Sequence, residues 1–288
     1  MFDISVLVCT HKRIKTTSWL LESIQHNSSA NVQVVIIGDR SHVESVDVPG
    51  MSVNEYFGTR KDIVTIKSPE ESQGKKCVFV ECQTTKQYSA EKMGYRWDWP
   101  ELYMLHYATS YGVQFCDSDL ILGPTEDDMY FIRHWDEELL CAVKEYDPDK
   151  YVFVHQQSDV NQLPNDYRPH IPDPTLVSYN SADMMTTPEL ETGLLDRFCE
   201  RFYESVKRQR KVMPVTAQIT ELAPLLIKKS ILTKMGGYHN AHVVFNGIEE
   251  RNVSNSCEVL TKLNDFGIKS KVQTGAVIFH NYYKQRLR

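Results

Sequence analysis

The sequence predicts an α/β protein with a mixed, mostly parallel sheet flanked by helices. Near the N-terminus, two apolar, β-branched strands enclose a helical pattern, which is typical of a βαβ unit. Further along, an acidic cluster directly follows an apolar strand, and open α/β sheets bind ligands at such carboxyl ends. A length of 288 residues suits one large domain, and neither repeats nor a clean linker divide the chain.

The N-terminal elements follow one another closely. Ile4 to Cys9 predicts a buried strand, and Ser18 to Gln25 has the apolar spacing of a helix. Val32 to Ile37 predicts a second buried strand, which stops at the polar run Gly38 to Ser41. Strands joined through a helix pair in parallel. Ile63 to Ile66 is a candidate third strand.

The middle of the chain continues this alternation before it becomes irregular. Glu101 to Tyr111 predicts a helix, and Leu120 to Leu122 a short apolar strand. Tyr151 to His155 predicts another strand. The stretch from Asn161 to Pro188 is rich in Pro, Asp, Asn and Ser, which predicts a long loop.

The C-terminal part carries weaker signals. Leu190 to Arg210 predicts an amphipathic helix with a basic end, and Ala223 to Lys228 a short strand. A tight turn is expected at Met235 to Tyr238, followed by a helix over Val253 to Phe266. Ala276 to Phe279 predicts the last strand. We therefore expect a single domain whose C-terminal half is less regular.

Composition and charge indicate a soluble globular protein. The hydrophobic content is 41%, and the net charge of −6 argues against an overall polyanion binder. The sequence contains no apolar run long enough for a membrane helix, and the first apolar stretch lacks the basic leader of a signal peptide. The seven scattered cysteines are expected to be reduced and mostly buried, which predicts a cytoplasmic protein.

The most informative stretch is the acidic cluster Glu126-Asp127-Asp128. Adjacent like charges repel one another unless a cation binds or water screens them. Mg²⁺ and Mn²⁺ take one or two carboxylates together with substrate phosphates. Alternate side chains of an extended segment share a face, so Glu126 and Asp128 are expected to bind one cation while Asp127 points away. A solvated acidic turn is the alternative, and Asp117 with Asp119 is a rival metal pair at the start of the strand.

Five segments stand in an order that is known from one enzyme family: Ile4 to Arg13, Val34 to Ser41, Leu120 to Asp128, Leu225 to Tyr238 and Phe245 to Glu250. Together they resemble the GT-A fold glycosyltransferases, especially the family 2-like group. The first two resemble the family's nucleotide loop and nucleobase-contacting strand, and the third its Asp-x-Asp metal strand. The last two resemble the segment before the acceptor site and the Glu-Asp motif of the catalytic base. Glutamate replaces aspartate in the metal motif, and a second glutamate replaces it in the base motif.

The resemblance implies a Rossmann-like GT-A fold and a metal-dependent transfer of a sugar from a nucleotide-sugar donor to a hydroxyl acceptor. Residues of about 1–135 would form the donor-binding half of a single domain over 1–288, and about 136–288 the acceptor half. The expected cofactors are Mn²⁺ or Mg²⁺ and a nucleotide-sugar donor, with a UDP-sugar preferred. Direct displacement with one base implies inversion, although the sequence leaves a retaining mechanism open.

The family's functional residues map onto named positions. The implied metal ligands are Glu126, Asp128 and His280, the implied base is Glu250 with Glu249 in reserve, and the implied donor contacts are Thr10, Arg13 and Asp39. From the residues themselves, Asp127 could bind the sugar or hold a loop, and Trp135 could pack on an apolar sugar face. Each has a structural alternative. The two glutamates could flank a helix N-terminus, Asp39 could cap a turn, and Trp135 could belong to the core. His280 could equally be structural.

The chemistry explains why these residue types are needed. Breaking the sugar–phosphate bond leaves negative charge on the diphosphate, which a divalent metal stabilises as a Lewis acid. The acceptor hydroxyl needs a base that removes its proton as it attacks.

Two other functions are alternatives, and the first, a nucleotidyltransferase, would also use a parallel sheet with carboxylates at the strand ends. A nucleotidyltransferase normally has a Gly-rich loop after the first strand, whereas Thr10 to Arg13 contains no glycine. Gly74-Lys75-Lys76 lacks the remaining glycines of a P-loop and is expected to be a solvated loop. A catalytically inactive, sugar-binding relative is the third candidate, because glutamate departs from the family pattern at two motifs.

Two basic patches bear on the acceptor, Lys207 to Lys211 and the C-terminal group Lys284, Arg286 and Arg288. A charge run is usually a solvated face. Compact glycosyltransferases also occur in bacteriophages, where some modify hydroxymethylated DNA bases, and basic patches suit a phosphate backbone. Surface-polysaccharide assembly is the other candidate. The acceptor is therefore expected to be either a saccharide or lipid-linked sugar, or hydroxymethylated DNA.

Overall fold

A ten-stranded sheet forms the centre of the computed structural model. The structure describes residues 1–39, 42–82, 108–127, 129–159, 213–215, 224–238, 263, 265–268 and 270–280. The strands are β1 Ile4–His11, β2 Val32–Asp39, β3 Val64–Ile66, β4 Cys77–Cys82, β5 Leu120–Glu126, β6 Met129–Phe131, β7 Tyr151–Asp159, β8 Met213–Val215, β9 Leu225–Lys228 and β10 Ser270–His280. The helices are α1 Lys15–Asn27, α2 Val53–Thr59, α3 Trp135–Glu145 and α4 Lys229–Met235, with short 3-10 helices at Pro69–Ser72 and Val113–Phe115.

Most strands of the sheet run in one direction. The strand order is β3-β4-β2-β1-β5-β9-β7-β10-β6, and β8 pairs with β10 beside this path. The pairs β1–β2, β1–β5, β2–β4, β3–β4 and β7–β10 are parallel. Strand β9 is antiparallel to both β5 and β7, so β7 and β10 run in the same direction as β1. The predicted mixed, mostly parallel sheet is confirmed.

Apolar side chains on both faces of the sheet explain why its central strands are continuous hydrophobic runs. On β2, Val34 and Ile36 pack in one buried cluster with residues of α1 and α3. Val35 and Ile37 face the other cluster, which includes residues of α4. A parallel strand covered on both sides has no solvent face, so its sequence shows no polar alternation.

Several elements differ from the sequence predictions. Strand β4 and helix α2 were not predicted, although Ser52 and Glu55 form a capping box at the start of α2 that would have indicated it. Strand β5 extends to Glu126 rather than ending at Leu122. The aromatic residues that follow the acidic cluster form strand β6, for which no strand was predicted, because they pair with β10.

Several predicted elements lie partly or wholly outside the described residues. These are the loop Asn161 to Pro188, the helix Leu190 to Arg210 and most of the helix Val253 to Phe266. Of the helix predicted over Glu101 to Tyr111, residues 108–111 are described and are helical, and the helix continues to residue 112.

Four of the described cysteines are reduced, as the sequence predicts. Cys9, Cys77, Cys116 and Cys141 are free thiols, and all but Cys141 are buried. Burial raises the pKa of Cys77 and of Cys116 to about 12, so both thiols are protonated at neutral pH. Among the helices that the structure describes, none has both the length and the apolar character needed to cross a bilayer.

Candidate functional site

The strand order places a topological switch point between β1 and β5, and we call its carboxyl edge the crevice. From β1 the chain passes through α1 to β2 on one side, and it later returns to β5 on the other side. Ligands of open α/β sheets bind at such a switch point, outside the carboxyl ends of the strands. At this edge His11 pairs with Asp39, and Cys9 pairs with Glu126. The ends of β1, β2 and β5 therefore bring three predicted site segments together.

A bulge shifts the register of β5 just before the acidic cluster. Val6 pairs with Leu122 and Val8 with Thr125, so Gly123 and Pro124 together lie opposite Leu7. A Cβ at Gly123 would lie 3.1 Å from the Leu7 Cβ, so the close approach favours glycine. An extra residue in one strand changes which side chains share a face. The bulge therefore sets how the last residues of β5 are presented at the crevice.

An ion pair bridges the crevice. Arg13 Nη1 donates to Asp127 Oδ1 at 2.8 Å, and the two side chains are only 13% and 6% exposed. A charge pair so far from bulk water is weakly screened, and removing one partner leaves the other desolvated. The Asp127 carboxylate, an expected donor contact, is engaged by Arg13 in the structure. The pair ties the loop after β1 to the end of β5.

The loop between β1 and α1 is organised by hydroxyl groups. The Thr10 and Thr17 hydroxyls lie 2.7 Å apart, and both are within hydrogen-bonding distance of the Arg13 carbonyl oxygen, at 3.1 and 2.5 Å. Thr10 is buried, so its hydroxyl serves the loop itself. This network fixes the backbone on which Arg13 is presented.

His280, the third implied metal ligand, is the last residue of β10 and lies at the same edge of the sheet. His280 pairs with Asp159 at the end of β7 and with Met129 at the start of β6. Met129 follows Glu126 by three residues, so their Cα atoms are at most about 10 Å apart. The fold therefore brings the end of β10 close to the acidic cluster. Asp128 lies outside the described residues, as do the side chains of Asp39, Glu126 and His280.

Sequence reasoning missed Asp159, which shares this edge. The predicted strand stopped at His155, whereas β7 continues to Asp159 and aligns it with His280. The polar residues at the end of β7 concealed its true length. Within the described part of the chain, no group of three or more His, Cys, Asp or Glu side chains is arranged to hold a metal ion.

The rival acid pair lies at the opposite end of β5. Asp117 accepts a hydrogen bond from the Gly74 N–H at 2.7 Å, and the Asp119 carbonyl oxygen accepts one from the Lys229 N–H at 2.8 Å. A strand of this length places Asp119 roughly 20 Å from Glu126. Gly74-Lys75-Lys76 is at that same end, because the Lys76 carbonyl pairs with the start of β2. Neither segment can contribute to a site at the carboxyl edge.

Trp135 is a core residue, which corrects the predicted sugar contact. It is 1% exposed and makes an edge-to-face contact with Phe131, with ring centroids 4.7 Å apart. Its indole N–H donates to the Ser28 hydroxyl at 3.1 Å. Trp135 is the first residue of α3, and its ring packs against the end of α1, so neither face of the ring is open to a sugar.

The predicted Gly-Gly-Tyr turn is present at the end of α4. Gly236 and Gly237 have φ angles of +77° and +88°, which favour glycine. Tyr238 is buried against β5, and a Cβ at Gly123 would lie 3.4 Å from its hydroxyl. Burial raises the pKa of Tyr238 well above its usual value. The turn thus anchors the start of the segment that leads to Glu249 and Glu250, which lie outside the described residues.

We expect Gly237→Ala to destabilise the fold more than Gly236→Ala. A Cβ at Gly237 would lie 2.6 Å from the Ser110 Cβ, whereas the described structure leaves open space at Gly236. Both changes place alanine at positive φ, which costs about 1 kcal/mol, and the clash should add roughly 1–3 kcal/mol for Gly237→Ala. Urea unfolding of the two variants measures the difference in the free energy of unfolding. Equal losses would show that Ser110 moves aside.

The remaining predicted residues lie outside the described ranges. These are the basic patch Lys207 to Lys211 and the C-terminal group Lys284, Arg286 and Arg288.

Comparison with known proteins places the fold. No protein-family model matches the chain, and no curated protein matches it significantly. Among solved structures, a mannosyltransferase from Pyrobaculum calidifontis in complex with GDP-Man and Mn²⁺ is similar, with a TM-score of 0.50 and 13% identity over 100% of this chain and 61% of that one. TarS from S. aureus (residues 1–349) has a TM-score of 0.49 and 10% identity over 97% of this chain and 60% of that one.

A third similar structure is glucosyl-3-phosphoglycerate synthase from Mycobacterium tuberculosis, with a TM-score of 0.45 and 9% identity over 99% of this chain and 73% of that one. The chain spans 60% of the TarS fragment 1–349, 37% of the longer TarS chain and 61% of the mannosyltransferase. The likeness to the mannosyltransferase, taken with the strand order, shows that the chain has the GT-A fold.

Proposed function

We propose that this protein is a metal-dependent glycosyltransferase that moves a sugar from a nucleotide-sugar donor to a hydroxyl acceptor. The observation that carries the proposal is the convergence at one sheet edge of the ends of β1, β2, β5 and β10. Each of these ends carries a segment that the sequence assigns to the donor or the metal. The similar mannosyltransferase was solved with GDP-Man and Mn²⁺, which supports the same ligand classes here.

The donor would lie across the crevice between β1 and β5. Asp39 ends β2, where the family resemblance implies a nucleobase contact. Arg13, held by Asp127 at 2.8 Å, stands between this position and the end of β5. A guanidinium presents planar donors that suit phosphate oxygens. The diphosphate would therefore sit near Arg13 and the acidic cluster.

A divalent cation fits the chemistry of the proposed ligands. Glu126, Asp128 and His280 would hold it, and two carboxylates with one imidazole suit Mn²⁺. The pairing of His280 with Met129, the residue after Asp128, supports this set because it brings two distant segments together. When bound, the metal supplies positive charge that stabilises the diphosphate as it leaves.

Proton removal would fall to Glu250, with Glu249 in reserve. A base facing the acceptor hydroxyl, opposite the leaving diphosphate, gives direct displacement and inversion at the anomeric carbon. The buried Tyr238 and the tightly packed Gly237 fix the start of this segment against the sheet. Such an anchor allows a base that lies 11 or 12 residues later to be held near the crevice.

Two acceptor classes fit the sequence. A saccharide or lipid-linked sugar would need only a hydroxyl near the base. Hydroxymethylated DNA would in addition need a basic surface, for which Lys207 to Lys211 is the candidate. Transfer assays with both acceptor classes over a range of salt concentrations distinguish them, because only binding to DNA weakens steeply with salt.

The proposal is tested by titrating the wild-type chain with UDP-glucose and GDP-mannose, with Mn²⁺ or with EDTA. We expect Mn²⁺-dependent binding by calorimetry and slow release of free sugar in the absence of an acceptor. In a parallel assay with UTP or GTP and a sugar 1-phosphate, release of pyrophosphate would instead identify a nucleotidyltransferase. Binding without any turnover would identify a catalytically inactive sugar-binding protein.

A further inference from the structure

The loop between β2 and α2 forms hydrogen bonds with the first turn of α1. We call residues 42–52 the clasp. Asp47 Oδ1 accepts the N–H of Ile14 at 2.7 Å, and Oδ2 accepts those of Lys15 and Thr16 at 3.0 and 3.2 Å. Ile14, the residue at the N-cap of α1, has no side-chain oxygen, so a residue 33 positions away satisfies the first turn of the helix.

A second set of contacts holds the loop just before α1. Lys12 has a φ of +57°, which is uncommon for a residue with a side chain. Its carbonyl oxygen accepts the Val46 N–H at 2.8 Å and the Ser45 hydroxyl at 2.9 Å. Ser45 is buried, and its hydroxyl also lies 2.6 Å from Asp47 Oδ1. The clasp therefore stabilises a strained backbone next to Arg13.

The clasp is itself braced at its far end. The Ser45 N–H donates to the Met51 carbonyl oxygen at 2.8 Å. The backbones of Glu44 and Ser52 form an isolated antiparallel β-bridge. The Gly50 N–H donates to Glu44 Oε1 at 2.7 Å. Asp47 is thus presented by a loop that is closed on itself and placed directly beside the crevice.

Because Asp47 accepts the first N–H groups of α1, the N-terminus of this helix differs from a typical phosphate site. A helix N-terminus is a common phosphate site because its free N–H groups and its dipole attract anions. Here the Asp47 carboxylate already takes three of those N–H groups and adds negative charge. These N–H groups are therefore not available to a donor diphosphate, which would instead lie near Arg13 and the metal proposed at the acidic cluster.

We propose that Asp47 is a positioning residue that sets donor affinity by holding the loop from Thr10 to Arg13 in its binding conformation. This rests on the proposed function, because it concerns the same donor site. A loop that adopts its binding conformation only part of the time binds its ligand with proportionally lower affinity. Asp47 should therefore affect donor binding and KM, and leave kcat close to the wild-type value.

The test compares Asp47→Ala and Asp47→Asn with Asp136→Asn. Asp136 is a matched control, because its buried carboxylate accepts the N–H groups of Ser29 and Ala30 just beyond the other end of α1. Asp47→Ala should raise the Kd for UDP-glucose or GDP-mannose with Mn²⁺ about tenfold, and Asp47→Asn should raise it less. Asp136→Asn should lower the melting temperature and leave this Kd unchanged.

Hydrogen exchange provides a readout that needs no ligand. In Asp47→Ala the amides of Ile14, Lys15 and Thr16 should lose protection, while those of Ser29 and Ala30 keep it. A Kd that Asp47→Ala leaves unchanged would overturn the inference, and so would an equal rise in Asp136→Asn, since the effect would then be global. If the wild type bound neither probe, the proposed function would fail and this inference with it.

Discussion

Asp128→Asn abolishes transfer and sharply weakens Mn²⁺-dependent donor binding, if the metal site is the one that we propose. The substitution keeps the size of the side chain and removes one carboxylate charge from the cation. The loss should be largest in a metal titration, because apparent Mn²⁺ affinity depends directly on the ligand charge. Calorimetric titration with Mn²⁺ and UDP-glucose or GDP-mannose measures it.

Two variants give this prediction its controls. Asp119→Asn alters an acid at the other end of β5, roughly 20 Å away, and should leave the metal titration unchanged. His280→Ala should raise the metal concentration needed for activity and shift the preference between Mn²⁺ and Mg²⁺. If Asp119→Asn removed metal binding while Asp128→Asn did not, the metal would belong to the rival pair.

Glu250→Gln should lower the transfer rate by about 10²–10⁴-fold, which is the usual contribution of a general base. Glutamine keeps the size and hydrogen bonding of the side chain but cannot accept the proton from the acceptor hydroxyl. Donor affinity should stay near the wild-type value, because the base faces the acceptor. Initial rates and donor titrations on the same preparation separate the two effects.

Glu249→Gln is the matched control for the base. It changes the adjacent carboxylate in the same segment and should leave turnover within a few-fold of the wild type. Near-normal turnover in Glu250→Gln with a large loss in Glu249→Gln would identify Glu249 as the general base. Equal and small effects in both would favour the alternative in which the pair flanks a helix.

Local patterns predicted most of the strands of the sheet, at least in part, for a physical reason. β1, β2, β5 and β7 are buried on both sides or start as apolar runs, so their sequences carry the signal without help from neighbours. Of β10 only Ala276 to Phe279 was predicted, because the strand begins with polar residues from Ser270. The signal failed at the ends of the strands. Glu126 and Asp159 are polar residues that extend β5 and β7, because pairing with adjacent strands compensates their low strand propensity.

The sequence by itself determined the α/β class, the order of the segments and the presence of an acidic cluster at a strand end. These follow from periodicity and from neighbouring residues, which act over a few positions along the chain. Only the tertiary structure decided that Asp127 pairs with Arg13, that Asp47 caps α1, and that Trp135 is buried. Arg13 and Asp127 are 114 positions apart, and no local pattern encodes such a contact. It arises only because β1 and β5 lie side by side, which depends on the pairing of the whole sheet.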